Sequence, residues 1–142
     1  KIAKPVLILS IIRGIENGTF RYNRFIFEDL ERIYNDIFEQ YTIIAQQSEK
    51  TDLTYPFYYL QTDEFWHLSF YNHNEIRTTS PSTAWVRRNV EYAYVDEELW
   101  LLLHNSDYRL RIKNFIIETK IRSIKENHSP LIKHFIGWLL AI

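Results

Sequence analysis

Histidines are common metal ligands and general bases, and this chain of 142 residues contains five of them. His67 and His73 are six residues apart, as are His128 and His134. A spacing of six places neither pair on one face of a helix. The chain has no cysteine, which excludes a thiolate metal site. The sequence therefore predicts no metal site and no cofactor.

Carboxylates and nucleophiles are also poorly arranged for catalysis. Asp63 and Glu64 are the nearest approach to a carboxylate pair, but adjacent turn residues point apart, so a turn-forming role is favoured. The dipeptide His104-Asn105 is interpreted as a helix end. A glycine-rich phosphate loop, a nucleophile elbow and a cysteine nucleophile are all absent from the sequence. We expect no catalytic residue, and we expect that this chain is not an enzyme.

The overall composition is that of an ordinary globular domain. The hydrophobic share is 46% and the charged share 25%, and three glycines and four prolines leave little room for disorder. A chain of this length builds one core, so a single domain over residues 1–142 is predicted. No segment reaches the ~20 apolar residues that cross a bilayer. With no cysteine present, we expect a cytoplasmic protein without a membrane role.

Basic residues are concentrated towards the two ends of the chain, although the net charge is only -1. Segment 1–24 has five basic residues and one acidic residue, and segment 108–134 has seven and two. We predict that both segments converge on one face that contacts the phosphates of duplex DNA. Pairing of the second segment with the acidic helix at residues 28–39, and simple solvation, remain alternatives. The predicted phosphate contacts are Lys4, Arg24, Arg109, Lys113 and Lys120.

Apolar periodicity predicts a mostly helical α+β domain. Two aromatic runs, residues 55–60 and 65–70, are interpreted as a β-hairpin, and residues 20–27 as a short edge strand. The α+β fold is therefore expected to hold five or six helices and a small antiparallel sheet that contains this aromatic hairpin. Helices are predicted at residues 5–15, 28–46, 80–92, 96–103, 108–125 and 129–142, with residues 105–107 as a break.

The hairpin region has the most distinctive sequence. Residues 55–68 resemble a Pro-Phe-x-x-Leu run followed by Asp-Gly and an aromatic-Trp pair, with Glu64 replacing the glycine. Residues 3–9 look like an opening Lys-Pro helix, and residues 90–100 look like a Tyr-Ala-x-x-Asp-x-Glu-Leu segment. Over residues 3–121 the chain thus resembles the N-terminal domain of bacterial HNH restriction endonucleases. That family is related to the sulfur-binding domains of McrA-like enzymes.

The resemblance implies a DNA-recognition module of a modification-dependent restriction system, with a nuclease elsewhere in a longer parent protein. It implies binding of duplex DNA that carries phosphorothioate or another modification. In such relatives an aromatic-Pro step lines an apolar cavity for sulfur. By resemblance Tyr55 and Pro56 would line that cavity, and Lys4 would contact the backbone. Tyr59 stands where strong sulfur binders have a small residue, and Ala3 where they often have histidine.

A protein-interaction or dimerisation domain is the alternative function. The segment 129–142 is apolar almost all round, and a lone surface helix of that kind exposes a patch that drives association. The aromatic residues of the hairpin region would then simply pack across strands over a core. A homodimer is the partner expected under this alternative.

Overall fold

The computed structural model describes residues 2–45 and 49–122 together with the single positions 138 and 141. Within these residues a mostly helical α+β fold is confirmed: six helices accompany one two-stranded antiparallel sheet. The elements are α1 (Ala3–Glu16), α2 (Phe27–Ala45), α3 (Thr54–Tyr59), β1 (Trp66–Phe70), α4 (Thr83–Asn89), β2 (Val90–Val95), α5 (Glu97–Leu103) and α6 (Ser106–Ile116).

Helix α1 is the central element, as its nearly all-round apolar sequence predicts. It packs along α2 and also contacts α3 and α6. The one buried hydroxyl on this helix, that of Ser10, donates to the carbonyl of Val6 at 2.6 Å and so is satisfied within the helix. Close packing continues to its last turn, where Gly14 lies directly against the buried ring of Phe20.

Helix α2 confirms the prediction made from its apolar stripe. Leu30, Tyr34, Ile37 and Phe38 are buried on the side that faces the core. Its first turn carries acidic side chains, which the positive end of the helix dipole favours. The helix presents its exposed acidic face away from the core.

The sheet consists of β1 and β2, with Trp66 opposite Val95 and His67 opposite Tyr94. One face of this ribbon is buried, because Trp66 and Val95 both point into the core. The other face carries His67 and Tyr94 and is partly open to solvent. Of the edge strand predicted at residues 20–27, only an isolated bridge between Phe25 and Ala93 forms.

The predicted aromatic β-hairpin is wrong in its first half. Residues 54–59 form helix α3, and a short 3-10 turn follows at Leu60–Thr62. Pro56 fits the first turn of a helix, where its missing N–H costs nothing. Tyr55 and Tyr59, four residues apart, are the exposed positions, while Phe57 is buried. A spacing of four residues is close to the period of a helix. The high strand propensity of aromatic residues concealed this helical signal in the sequence.

The helix predicted at residues 80–92 is too long. Ser82 caps α4 by accepting a hydrogen bond from the Trp85 amide at 3.1 Å, but the helix ends at Asn89. Residues 90–95 then form β2, which replaces the first aromatic run as the partner of β1. The alternation of Val90, Tyr92 and Tyr94 with other residues is the strand signal that was missed.

Helix α5 begins where predicted, after Asp96, whereas α6 begins at Ser106, inside the break predicted at residues 105–107. The Asn105 side chain accepts hydrogen bonds from the amides of Asp107 and Tyr108, at 3.0 and 3.2 Å, and so caps α6. Beyond Ile116 the chain continues as a π-helix, Ile117–Arg122. The predicted extension to residue 125 and the helix at 129–142, apart from positions 138 and 141, lie outside the described residues. In the described part no helix is long and apolar enough to cross a membrane.

Candidate functional site

Four predicted site residues line one apolar pocket beside the first turn of α1. Lys4 comes from α1, and Tyr55, Pro56 and Tyr59 come from α3. Ala3 and Thr51 complete the wall, and the pocket has a volume of about 220 Å³. The contact of α3 with α1 therefore brings together the residues that the family resemblance had implied, although they lie on a helix rather than on a hairpin.

Tyr59 forms a wall of this pocket and leaves it open. Its ring packs edge-to-face on the ring of Tyr58, with 5.2 Å between centroids. Tyr58 is itself fixed, since its hydroxyl donates to the Thr78 carbonyl at 3.0 Å and accepts from the Thr78 amide at 2.9 Å. Tyr55 and Tyr59 are 49% and 40% exposed, so both rings also face solvent at the mouth of the pocket.

Lys4 supplies the cation at the rim of the pocket. Its ammonium nitrogen lies 3.3 Å from a carboxylate oxygen of Asp63, and both side chains are about half exposed. Asp63 belongs to a turn, because its amide donates to the Leu60 carbonyl at 2.9 Å and its carbonyl accepts from the Trp66 amide at 3.3 Å. The turn-forming role predicted for this residue is therefore confirmed. An exposed pair of this kind contributes only ~0–1 kcal/mol, so Lys4 exchanges partners easily.

Arg109 and Lys113 lie at the opposite end of α1. Their side-chain nitrogens are 3.8 and 3.9 Å from the two carboxylate oxygens of Glu16. Arg109 is only 17% exposed and also donates to the Leu103 carbonyl at 2.8 Å, which ties α6 to α5. Lys4 and Glu16 are twelve residues apart on one helix, which separates these groups by ~18 Å along its axis. Both cations thus hold α6 to α1.

The acidic helix α2 pairs with a different cation. Arg87 of α4 lies 3.3 Å from carboxylate oxygens of both Glu28 and Glu31. The pairing of α6 with α2 that stood as an alternative is therefore wrong for Arg109 and Lys113, whose carboxylate partner is Glu16. The two basic segments do meet, at the contact of α1 with α6, but an acidic side chain lies between them.

The remaining predicted cations are exposed and lie apart from the pocket residues. Arg24 places its guanidinium 4.9 Å from the ring centroid of Tyr92, a cation-π contact on the open side of the sheet. Lys120 lies in the π-helical stretch, where the longer turn shifts it away from the stripe of Arg109 and Lys113. The structure therefore brings together the pocket residues as one group and Arg109 with Lys113 as another.

A groove on the open side of the sheet was missed by sequence reasoning. It has a volume of about 470 Å³ and includes Gln61, His67, His73, Arg77 and Tyr94 in its lining. The available signal was the alternation of Tyr92 and Tyr94, although the predicted helix at residues 80–92 places Tyr92 at a helix end. The strand places both rings on one face instead.

Two of the histidines make polar contacts within the described residues. His67 pairs with Asp96 at 2.5 Å, and His104 contacts the carbonyl of Trp100 at 2.8 Å. Over residues 2–45 and 49–122, no three His, Cys, Asp or Glu side chains are grouped to hold a metal ion.

Comparison with protein-family models finds none that matches this chain, and comparison with curated proteins gives no match either. The resemblance to domains of restriction endonucleases therefore stays a prediction.

Proposed function

We propose that this chain is a DNA-recognition module whose apolar pocket receives the sulfur atom of a phosphorothioate linkage in duplex DNA. The observation that supports the proposal is the meeting of Lys4, Tyr55, Pro56 and Tyr59 around one pocket. They come from two segments of the chain that are about fifty residues apart in sequence. An assembly of this kind depends on the tertiary fold and is not a property of either segment alone.

The chemistry of the pocket suits sulfur better than oxygen. A phosphorothioate sulfur is larger and less strongly hydrated than a phosphate oxygen, so an apolar wall discriminates between the two. Tyrosine and proline rings supply that wall, and Lys4 at the rim supplies charge for the rest of the phosphate group. Burial of roughly 40 Å² of weakly hydrated surface at ~25 cal/mol per Å² contributes ~1 kcal/mol, or about a five-fold preference.

The affinity for duplex DNA of any sequence is then supplied by a small number of cationic side chains. Lys4 has only a surface pairing with Asp63 to give up, and Arg24 has no carboxylate partner in the described part of the chain. Phosphate contacts of this kind position the protein on the duplex without reading its sequence. Selectivity is therefore assigned to the pocket, and orientation on the duplex to the cations around it.

The test compares one duplex with and without a single phosphorothioate linkage, using fluorescence anisotropy at low ionic strength. We expect the wild-type chain to prefer the modified duplex by about five-fold. Tyr55→Ala and Tyr59→Ala each remove a wall of the pocket, so both variants should lose the preference while retaining binding to plain duplex. Tyr22→Ala removes an exposed ring outside the pocket, 76% exposed, and serves as the matched control.

Two outcomes would count against the proposal at different levels. Equal affinity of the wild-type chain for the two duplexes would reject sulfur recognition while leaving general DNA binding in place. No binding of the wild-type chain to either duplex at low ionic strength would reject the DNA-recognition function as a whole, because phosphate contacts are strongest under that condition.

A protein-interaction domain is the second candidate function. It is favoured by large apolar side chains that are exposed on α5 and α6: Leu101 is 62% exposed, Leu110 57% and Phe115 62%. Helices α5 and α6 contact each other, and large exposed apolar side chains of this kind favour a protein-interaction role. The two functions use different surfaces, so one chain is able to carry both.

A further inference from the structure

A row of ring systems crosses the open face of the sheet. The guanidinium of Arg24 lies over the Tyr92 ring at 4.9 Å, and the Tyr92 and Tyr94 rings follow with centroids 6.1 Å apart. His67 continues the row, 5.1 Å from Tyr94, and Asp96 pairs with His67 at its far end. The planes of the Tyr92 and Tyr94 rings are tilted by 58°, those of His67 and Tyr94 by 34°, and Tyr94 is 36% exposed. The face is thus aromatic and bounded by charged groups.

The groove beside this row has the size and the lining of a ligand site. Its volume of about 470 Å³ falls within the ~300–1,000 Å³ typical of small-ligand sites. The side chains of Gln61, Ser69 and His73 line it, and none of the three makes a hydrogen bond within the part of the chain that the structure describes. Amide, hydroxyl and imidazole groups are therefore free to pair with a polar ligand edge.

The loop that follows β1 adds a second observation. Asn72 and His73 both have left-handed backbone conformations, with φ of 64° and 58°. Consecutive non-glycine residues in this region are uncommon, and each costs of order 1 kcal/mol or more. The loop places His73 in the lining of the groove. Strain of this kind collects at binding sites, where it holds a side chain in position.

We propose that this groove binds an unpaired nucleobase of single-stranded DNA, with the base stacked on Tyr94. Base faces stack on aromatic side chains at exposed sheet surfaces, and base edges pair with amide, hydroxyl and imidazole groups. Arg24 lies at one end of the aromatic row and is placed to meet a flanking phosphate. Arg77 also lines the groove, where it pairs with Glu75 at 2.8 Å, an exposed pairing that it would have to exchange for a second phosphate. An apolar small molecule would fit poorly, because the lining is largely polar.

The groove is a second site, but it lies next to the sulfur pocket. Tyr59 lines the pocket, whereas Gln61 and Thr62, in the 3-10 turn that follows, line the groove. Three residues of 3-10 helix advance by only ~6 Å. One DNA strand is therefore able to cross both sites, with an unstacked base in the groove. The inference does not depend on sulfur recognition, since it uses different side chains.

The test measures binding of labelled oligothymidylate, and of an abasic strand of equal length, by fluorescence anisotropy. Stacking requires a base, so we expect the wild-type chain to bind the abasic strand about tenfold more weakly. Tyr94→Leu should weaken oligothymidylate binding by a similar factor, and Tyr94→Phe, which keeps the ring, should restore it. Tyr108→Leu is the matched control, because Tyr108 is another exposed tyrosine beside an arginine, with the Arg111 guanidinium 5.9 Å away.

Equal binding of the two strands by the wild-type chain, or no binding of oligothymidylate, would overturn this inference. So would an affinity for oligothymidylate that Tyr94→Leu leaves unchanged. Tyr55→Ala separates the two proposals: it damages the sulfur pocket and should alter oligothymidylate binding by no more than about twofold. If Tyr55→Ala abolishes that binding and Tyr94→Leu does not, the groove is rejected and the pocket is retained.

Discussion

At the scale of single residues, Tyr34 shows how the core accommodates a polar group. Its ring is fully buried on α2, and its hydroxyl donates to the carbonyl of Thr51 at 2.6 Å. Burial raises the pKa of the Tyr34 phenol well above its ordinary value, and the nearby carboxylate of Asp52 raises it further. Only the protonated phenol is able to donate this hydrogen bond, which holds the loop before α3 against α2.

This pKa shift predicts a loss of stability at alkaline pH. The folded state holds the Tyr34 proton more tightly than the unfolded state, in which the phenol pKa is about 10. The contribution to stability is therefore fully present below ~pH 10 and falls as the pH rises above it. Urea denaturation at about pH 8 and pH 10.5 should show this fall.

Two variants separate the contribution of Tyr34 to this pH dependence from that of the other tyrosines. Tyr34→Phe removes the titrating group, so its free energy of unfolding should depend less on pH over that interval. It should also lie ~1 kcal/mol below wild type near neutral pH, because the Thr51 carbonyl loses its donor. Tyr22→Phe changes an exposed tyrosine and should behave like wild type. A Tyr34→Phe chain with the same alkaline loss as wild type would show that the fall has another origin.

At the scale of elements, the close approach of Phe20 to α1 depends on a missing side chain. A Cβ built at Gly14 would lie 2.2 and 2.4 Å from two ring carbons of Phe20. The ring has little room to move, because it is buried and packs edge-to-face on Phe25 with centroids 5.0 Å apart. The turn after α1 therefore folds back onto the helix only because residue 14 is glycine.

Gly14→Ala should consequently destabilise the protein. Alanine favours a helix interior by ~1 kcal/mol over glycine, but overpacking of this severity costs ~1–3 kcal/mol. We expect the steric cost to exceed the helix-propensity gain and the urea midpoint to fall. Arg13→Ala, at the neighbouring exposed position, loses only a surface hydrogen bond to Gln40 and should change stability by less than ~0.5 kcal/mol. A rise in the midpoint for Gly14→Ala would contradict the packing argument.

Some elements of the fold were predictable from the sequence, and others were not. The amphipathic period of α2 is a local signal, and the helix that it predicts is confirmed. Helix α3 was not predictable in the same way, because six residues rich in aromatic side chains favour a strand by intrinsic propensity. Its helical conformation is stabilised by tertiary packing, in which Phe57 meets Trp66 edge-to-face and accepts a hydrogen bond from its indole N–H at 2.8 Å.

The residues of the candidate site were also predictable from the sequence only in part. The pocket residues were identifiable by resemblance, but their meeting with Lys4 requires the contact of α1 with α3. The partner of Arg109 and Lys113 was not predictable, because Glu16 lies more than ninety residues earlier in the sequence. A helical wheel identifies which cations share a stripe, and only the tertiary fold determines which carboxylate faces them.

At the scale of the whole molecule, the exposed apolar residues of α5 and α6 bear on oligomeric state. If this surface is an interface between two copies, the mass from light scattering should double as the concentration of the wild-type chain rises. A chain carrying both Leu101→Lys and Phe115→Lys should remain monomeric, and Tyr22→Lys should behave like wild type. A wild-type chain that stays monomeric at every concentration would exclude the homodimer.

The burial of Trp66 affects the fluorescence of the protein. Its indole is 1% exposed, lies nearly parallel to the Phe25 ring at 5.9 Å, and still contributes to the lining of the open groove. A dry indole of this kind emits at short wavelength, whereas Trp138, which is 55% exposed, emits at longer wavelength and is accessible to soluble quenchers. Trp100, which is 7% exposed, also emits at short wavelength. In a Trp100→Phe chain, Trp66 is the most deeply buried indole, so emission at the blue edge of the spectrum reports occupancy of the groove without an attached label.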